Sequence, residues 1–482
     1  MNTPTRIIVA TALLGPDHAP SNPCEIVIEG ERIAAIRPAN AAPGRRTMAI
    51  PALADAHNHA RPLSTTSFGC GGAPLELWLP HLAVMPAVDA YTAAAASFAR
   101  SLAGGATSVM VHLTRPMGQT PLPEEAREIA RAARDVGVSI GLAVSMRDRN
   151  PLAYDDQATL LDGLDPATRD LVRATWLRPM PPPHAQLALV DAVADAVSDL
   201  PGHVDVQYGP TGVQWCSEAL LASVAEASAR TGRRVHMHLL ETEPQRAWAD
   251  AAHSGGIVAY LDAIGLLSPR LTLAHCVWAR PEELDRIAEA GARIAVSVSS
   301  NLHLASGTAP LCAMADAGVP LALGLDGCAL DEDDDGLREL RLFHLLGQAP
   351  GFRAGGVTRA AALRAACMTG RAGLGLDNGG VIAPGMPADI LVLDLDALDR
   401  DGLTEVDPRD YLFARAARAH VIDAYSRGRH VLADGEVTSV DVGDLHRRLR
   451  DAYRAALPGC AAVVEAWPRV EAALASHYRG CC

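Results

Sequence analysis

The sequence predicts an α/β fold: a (β/α)8 barrel of the TIM type, with a small β-sandwich domain built from both ends of the chain. Three observations lead there. Through the middle of the chain, strand-like apolar runs alternate with alanine-rich helical stretches, the pattern of repeated βα units around a parallel sheet. Eight such runs can be counted, each ending in polar or titratable residues. Short β-like runs without helices between them bracket this region on either side.

Taken in order, residues 1–50 form the first part of the sandwich. "RIIVATALL" is followed by "CEIVIEGERIAAIRPA", with Gly30 at a hairpin turn between two apolar runs. Residues 51–376 form the barrel. Its first strand is the run ending at His57; the others are "TSVMVHL", "VSIGLAVSM", "VDVQYGP", "RRVHMHLLE", "LTLAHCV", "RIAVSVSS" and "PLALGLDG". Residues 377–440 return to the β-like texture in "GGVIAPGMPADILVLDLDAL" and "HVIDAYSRGRHVLADGEV", the second part of the sandwich. Residues 441–482 have helical spacing and read as a C-terminal helical extension for packing or association.

Composition narrows the function. A net charge of −14 argues against nucleic acid or an anionic membrane as a standing partner, because clustered basic residues hold both. A small-molecule substrate is expected instead, with the chain acting as a homo-oligomer, dimer or higher. The cysteines are scattered apart from Cys481 and Cys482, which suits buried, reduced thiols. With no secretory leader and no long apolar stretch, the expected location is the cytoplasm.

In such barrels the C-terminal strand ends carry the active site, so His57, His59, His238, His275 and Asp326 converge on one mouth. Positions two apart on a strand face the same way, which lets His57 and His59 reach one metal from the first strand. A catalytic divalent ion wants about three histidine or carboxylate ligands and a place for water. His236 reads as a core histidine one layer below His238, and Glu241 lies just past that strand, where it can lean over the mouth. The carboxylates from Asp331 to Asp335 read as a solvated charge run.

The series "PALADAHNH", "HMHLLET", "AHCVW", "SSNLHLASGTAPL" and "LGLDG", in this order and spacing, resembles the amidohydrolase superfamily, in its cytosine deaminase, guanine deaminase and triazine hydrolase branch. The likeness covers nearly the whole chain. It implies that His57, His59, His238 and Asp326 hold one divalent metal, zinc or else iron, while Glu241, His275 and Asp326 do the catalytic work. Two-metal relatives bridge their ions with a carboxylated lysine, and this chain has no lysine.

The implied activity is metal-dependent hydrolytic deamination of an N-heterocycle such as a purine, pterin, pyrimidine or triazine. The alternative is a hydrolase of the same fold acting on a C–Cl bond, an N-alkyl amine or a cyclic amide. Trp78, Gln214, Trp215 and Asn301 are the expected substrate contacts. Arg61, His112, Arg147, Asp148 and His303 read as structural or surface residues.

Overall fold

In the computed structural model, which describes residues 4–40, 44–327 and 332–479, the strand Ala106–Leu113 is buried at every position. A strand covered on both faces must be a continuous apolar run rather than an alternating one, and its neighbours read the same way. Eight parallel strands lie side by side in chain order: Leu53–Asn58, Ala106–Leu113, Ser139–Met146, Val204–Pro210, Val235–Leu239, Leu271–His275, Arg293–Val296 and Leu321–Leu323. The backbone N–H groups of Leu325 and Asp326 both donate to the His57 carbonyl, at 3.2 and 2.7 Å. The eighth strand thus reaches the first, at the end where the site forms. Gly324 is required for this approach, since a Cβ there would sit 3.0 Å from the His57 Cβ and 2.7 Å from the Ser297 Oγ.

Caps start the covering helices where the sequence places them. Asp89, Ser217 and Thr242 accept from backbone N–H groups in the first turns of Ala90–Ala103, Glu218–Thr231 and Glu243–Ala252.

The chain ends meet as expected. Thr47–Pro51, before the barrel, pairs antiparallel with Ile390–Asp394, after it, and both belong to a seven-stranded sheet that ends in Glu436–Val437. Thr5–Val9, Cys24–Glu29 and Arg32–Pro38 make a second sheet of three strands, with Gly30 at φ +60° in the turn between the last two. Buried Arg371 ties this region to the barrel through Asp389 at 2.9 Å and the Ser108 hydroxyl at 3.2 Å.

The C-terminal extension is two helices, Val442–Ala456 and Ala461–Arg479. The second packs Trp467, Val470, Leu474 and Tyr478 against loop residues of the mouth, among them Trp78, Leu152, Tyr154 and Trp215. His81 stacks on Trp467 with ring centroids 4.3 Å apart.

The acidic run departs from expectation. Asp334 is fully buried against Arg100 and Ser101, Asp335 caps the helix Gly336–Gly347, and Glu332 accepts from the backbone and side chains around Ser64 and Thr65. These acids knit the last strand's loop to the first strand's loop rather than facing water. Asp331 lies outside the described residues, as do Cys481 and Cys482. Among the described residues, Cys24, Cys70, Cys216, Cys276 and Cys367 are buried free thiols, and no helix is long and apolar enough to cross a membrane.

Candidate active site

Three histidines reach the barrel mouth with one ring nitrogen already committed. The Nδ1–H of His59 donates to the His112 carbonyl at 2.7 Å, and that of His238 to the Thr211 carbonyl at 2.6 Å. The Nδ1 of His57 meets the Nε2 of His236 at 2.8 Å. His236 is fully buried, the layer expected of it. A carbonyl can only accept, so the His59 and His238 contacts place their protons on Nδ1 and leave Nε2 as a lone pair, while the nitrogen of His57 that remains for the mouth is likewise Nε2.

The Nε2 atoms of His57 and His59 gather with Asp326 in one group, and that of His238 adjoins His59. Asp326 Oδ1 lies 3.5 Å from His57 Nε2 and 3.1 Å from His59 Nε2, and His238 Nε2 lies 3.4 Å from His59 Nε2. Burial brings the pKa of His57 down to about 3 and lowers those of His59 and His238, so the rings are neutral at pH 7. Burial alone would raise the Asp326 pKa; a proton held at Oδ1 by the His57 or His59 ring, the place a cation would take, brings it well below the usual carboxylate range. Its Oδ2 accepts from the Ser300 hydroxyl at 2.5 Å.

His57 Nε2 and Asp326 Oδ1 are buried with no hydrogen-bond partner among the described residues. Lone pairs gathered in this way need a cation between them. Neutral imidazoles with one carboxylate are a donor set that suits zinc, and the residues fit a divalent ion.

Beside this cluster sit Glu241 and His275. Burial, followed by the Asp326 and Glu76 carboxylates, pushes Glu241 well above the usual range, which favours its protonated form. Its Oε2 is 3.6 Å from His275 Nε2, and its buried Oε1 has no hydrogen-bond partner among the described residues. The Nδ1–H of His275 donates to the Asn301 Oδ1 at 2.9 Å, which turns Nε2 toward the mouth. His275 and Asp326 both hold positive φ, +73° and +60°, a strained conformation kept at strand ends that must aim a side chain.

A cavity of about 360 Å³ opens over these groups. Trp78 and Trp215 line it. Gln214 and Asn301 are buried away from it, and Asn301 instead orients His275. Of the residues read as structural or surface, Arg61 and Arg147 line the cavity, and Arg61 sits 4.8 Å above the Trp78 ring while donating to the Asp326 carbonyl. Asp148 caps through Ser217, and His112 lends its carbonyl to His59. Sequence reasoning missed Ser300, Thr211 and Glu76; the contribution of Thr211 is a backbone carbonyl, which no side-chain pattern reveals.

Residues 48–431 match the family described as "Amidohydrolase family". The 5'-deoxyadenosine deaminase of Methanosarcina barkeri is 31% identical over 256 residues, 53% of this chain and 58% of that protein. The 5-methylthioadenosine/S-adenosylhomocysteine deaminase of Haloarcula marismortui is 29% identical across 82% of both chains. The chain thus spans little more than half the length of several curated relatives that it matches. Among solved structures, an adenosine deaminase from Xanthomonas campestris with bound zinc superposes with a TM-score of 0.76 at 24% identity, covering 94% of this chain and 98% of that one. A triazine hydrolase variant gives 0.77 at 21%, covering 93% and 99%. These two establish a shared fold, and with the match from residue 48 to residue 431 they settle the lineage: the chain belongs to the amidohydrolase family.

Proposed function

We infer that this protein is a metal-dependent hydrolytic deaminase of an aminated N-heterocycle, with His57, His59, His238 and Asp326 holding one zinc ion. The observation that carries the reading is a buried Glu241, its pKa raised by burial, next to His275, beside a converging set of metal-ligand atoms, under a cavity walled by Trp78, Trp176 and Trp215. The curated relatives named above are deaminases of adenine-containing compounds, which supports a 6-aminopurine as the ring.

A divalent cation in this donor set supplies Lewis acidity and acidifies water at neutral pH. The residues do the rest. Asp326 takes the proton of the attacking water on its carboxylate. Glu241 donates its carboxyl proton to a ring nitrogen, which makes the adjacent carbon more electrophilic, and then helps protonate the leaving amine. His275, its Nδ1–H fixed on Asn301, accepts from the attacking hydroxyl at Nε2 and steadies the tetrahedral intermediate. Trp78 and Trp215 offer aromatic faces to a planar ring.

We place the enzyme in the cytoplasm, without a nucleic-acid partner, and as a homo-oligomer; the exposed apolar side chains of Leu302, Leu345, Leu346 and Phe352 support self-association. The test is ammonium release from zinc-loaded protein across aminated purine ribosides, pterins, pyrimidines and triazines. Release from at least one is expected. Silence across the panel, or chloride or alkylamine as the product, would overturn the reading.

A further inference from the structure

The outer wall of the cavity is short of negative charge. Arg115 follows the second barrel strand and Arg147 follows the third; these strands pair directly, Leu113 beside Val144, so the two guanidinium groups emerge from adjacent strand ends. Both line the cavity and are exposed within it. Arg115 donates to the Met85 carbonyl, and the Arg147 guanidinium has no acceptor among the described residues. Neither has a carboxylate partner there. Glu125, the carboxylate on the same wall, is occupied by the backbone N–H groups of Met117 and Gly118 at 2.6 and 2.9 Å.

A third group completes the wall. Tyr453, from the C-terminal extension, also lines the cavity; its hydroxyl has no hydrogen-bond partner among the described residues and lies within electrostatic reach of Arg115. Burial lowers the pKa of both arginines, the mark of charge held where water solvates it poorly. A chain with a net charge of −14 has no lack of acids with which to pair them. Cations left without counter-charge in a half-enclosed site are unfavourable until an anion arrives, and planar guanidinium forks suit carboxylate and phosphate.

Resting on the deaminase reading, we propose that Arg115, Arg147 and the Tyr453 hydroxyl form an anion subsite, and that the substrate carries a carboxylate or phosphate remote from its amino group. The ring sits over the ligands and proton-handling groups of strands one, five, six and eight, and the charged tail points to strands two and three. The C-terminal extension thereby becomes part of the substrate pocket.

The test uses three 6-aminopurine ribosides on the zinc-loaded protein: one ending at the 5′ position in a neutral alkyl thioether, one in the same thioether bearing a carboxylate, and the 5′-phosphate. At least one charged compound is expected to exceed the neutral one in kcat/KM by about 10–100-fold, the worth of a charge-assisted hydrogen bond, and which one does so separates carboxylate from phosphate. Arg115→Gln and Arg147→Gln should each shrink that ratio by about tenfold, and Tyr453→Phe, which keeps the ring, by severalfold. A neutral compound used as well as both charged ones, or a ratio unmoved by either arginine variant, would overturn the subsite. If no riboside yields ammonium, the deaminase reading fails; equilibrium binding of the same compounds then judges the subsite, with tighter binding of a charged one supporting it and equal binding refuting it.

Discussion

The Nε2 atoms of His59 and His238 face each other at 3.4 Å, although both rings have already committed their protons to carbonyl oxygens. Two buried lone pairs at that distance repel, and an ionised Asp326 carboxylate stands 3.1 Å from one of them. A cation between them turns the repulsion into binding energy, which is also folding energy. Stripping metal with a chelator should therefore lower Tm, and re-adding zinc should restore it. His238→Ala and Asp326→Asn should each leave no more than a few per cent of activity, with less bound metal in elemental analysis. An unchanged Tm on chelation, or substantial turnover in either variant, contradicts the assigned ligand set.

Glu241 and Asp326 divide the pH range between them. With its pKa raised by burial, Glu241 is active in the protonated form, so activity falls as pH rises through that value. With its pKa lowered, Asp326 is active ionised, so activity falls as pH drops through its value on the acid side. Glu241→Gln cannot titrate or give up a proton; it should keep its metal, lose about 10²–10⁴ in kcat and lose the alkaline limb of the kcat profile. Loss of metal in this variant would make Glu241 a ligand.

Asn301 shows how far the sequence could be read. The eight strands were legible because buried parallel strands are apolar runs, and the ligands were legible because each ends such a run. The position of Asn301 relative to the substrate was not, because it depends on a helical turn, Val298–His303, that swings the side chain behind His275. The acids after Asp326 misled for a similar reason: what buries Asp334 is Arg100, more than two hundred residues earlier. Arg147 looked like a surface residue because a cavity wall is also exposed.

If Asn301 positions His275, Asn301→Ala should cost about 10–100-fold in kcat, the usual effect of losing an orienting partner. KM and Tm should change little, and Asn301→Asp, which restores an acceptor, should recover part of the rate. A rise in KM with kcat unchanged would show that Asn301 contacts substrate instead.

The number of metal ions follows from what the fourth strand lacks. A two-metal site needs a bridging anion inside the barrel, and the chain has no lysine to carry a carboxylate adduct. The acid on strand Val204–Pro210 is Asp205, near its N-terminal end, where it accepts from Gln207 Nε2 at 2.8 Å and faces Arg234 at 3.5 Å. The strand then ends in Tyr208, Gly209 and Pro210, none of them a carboxylate or thiol that could bridge two ions. A second histidine group, His57, His112 and His238, does lie close together, but His57 and His238 each have a single uncommitted nitrogen, which the first ion already takes. One ion per chain is expected, with His57, His59, His238 and Asp326 around it. Elemental analysis of protein produced with ample zinc should give a ratio near one, and an anomalous difference map should show a single peak at the mouth. Two fully occupied positions would refute the mononuclear site and require His112, or a group outside the described residues, as a ligand.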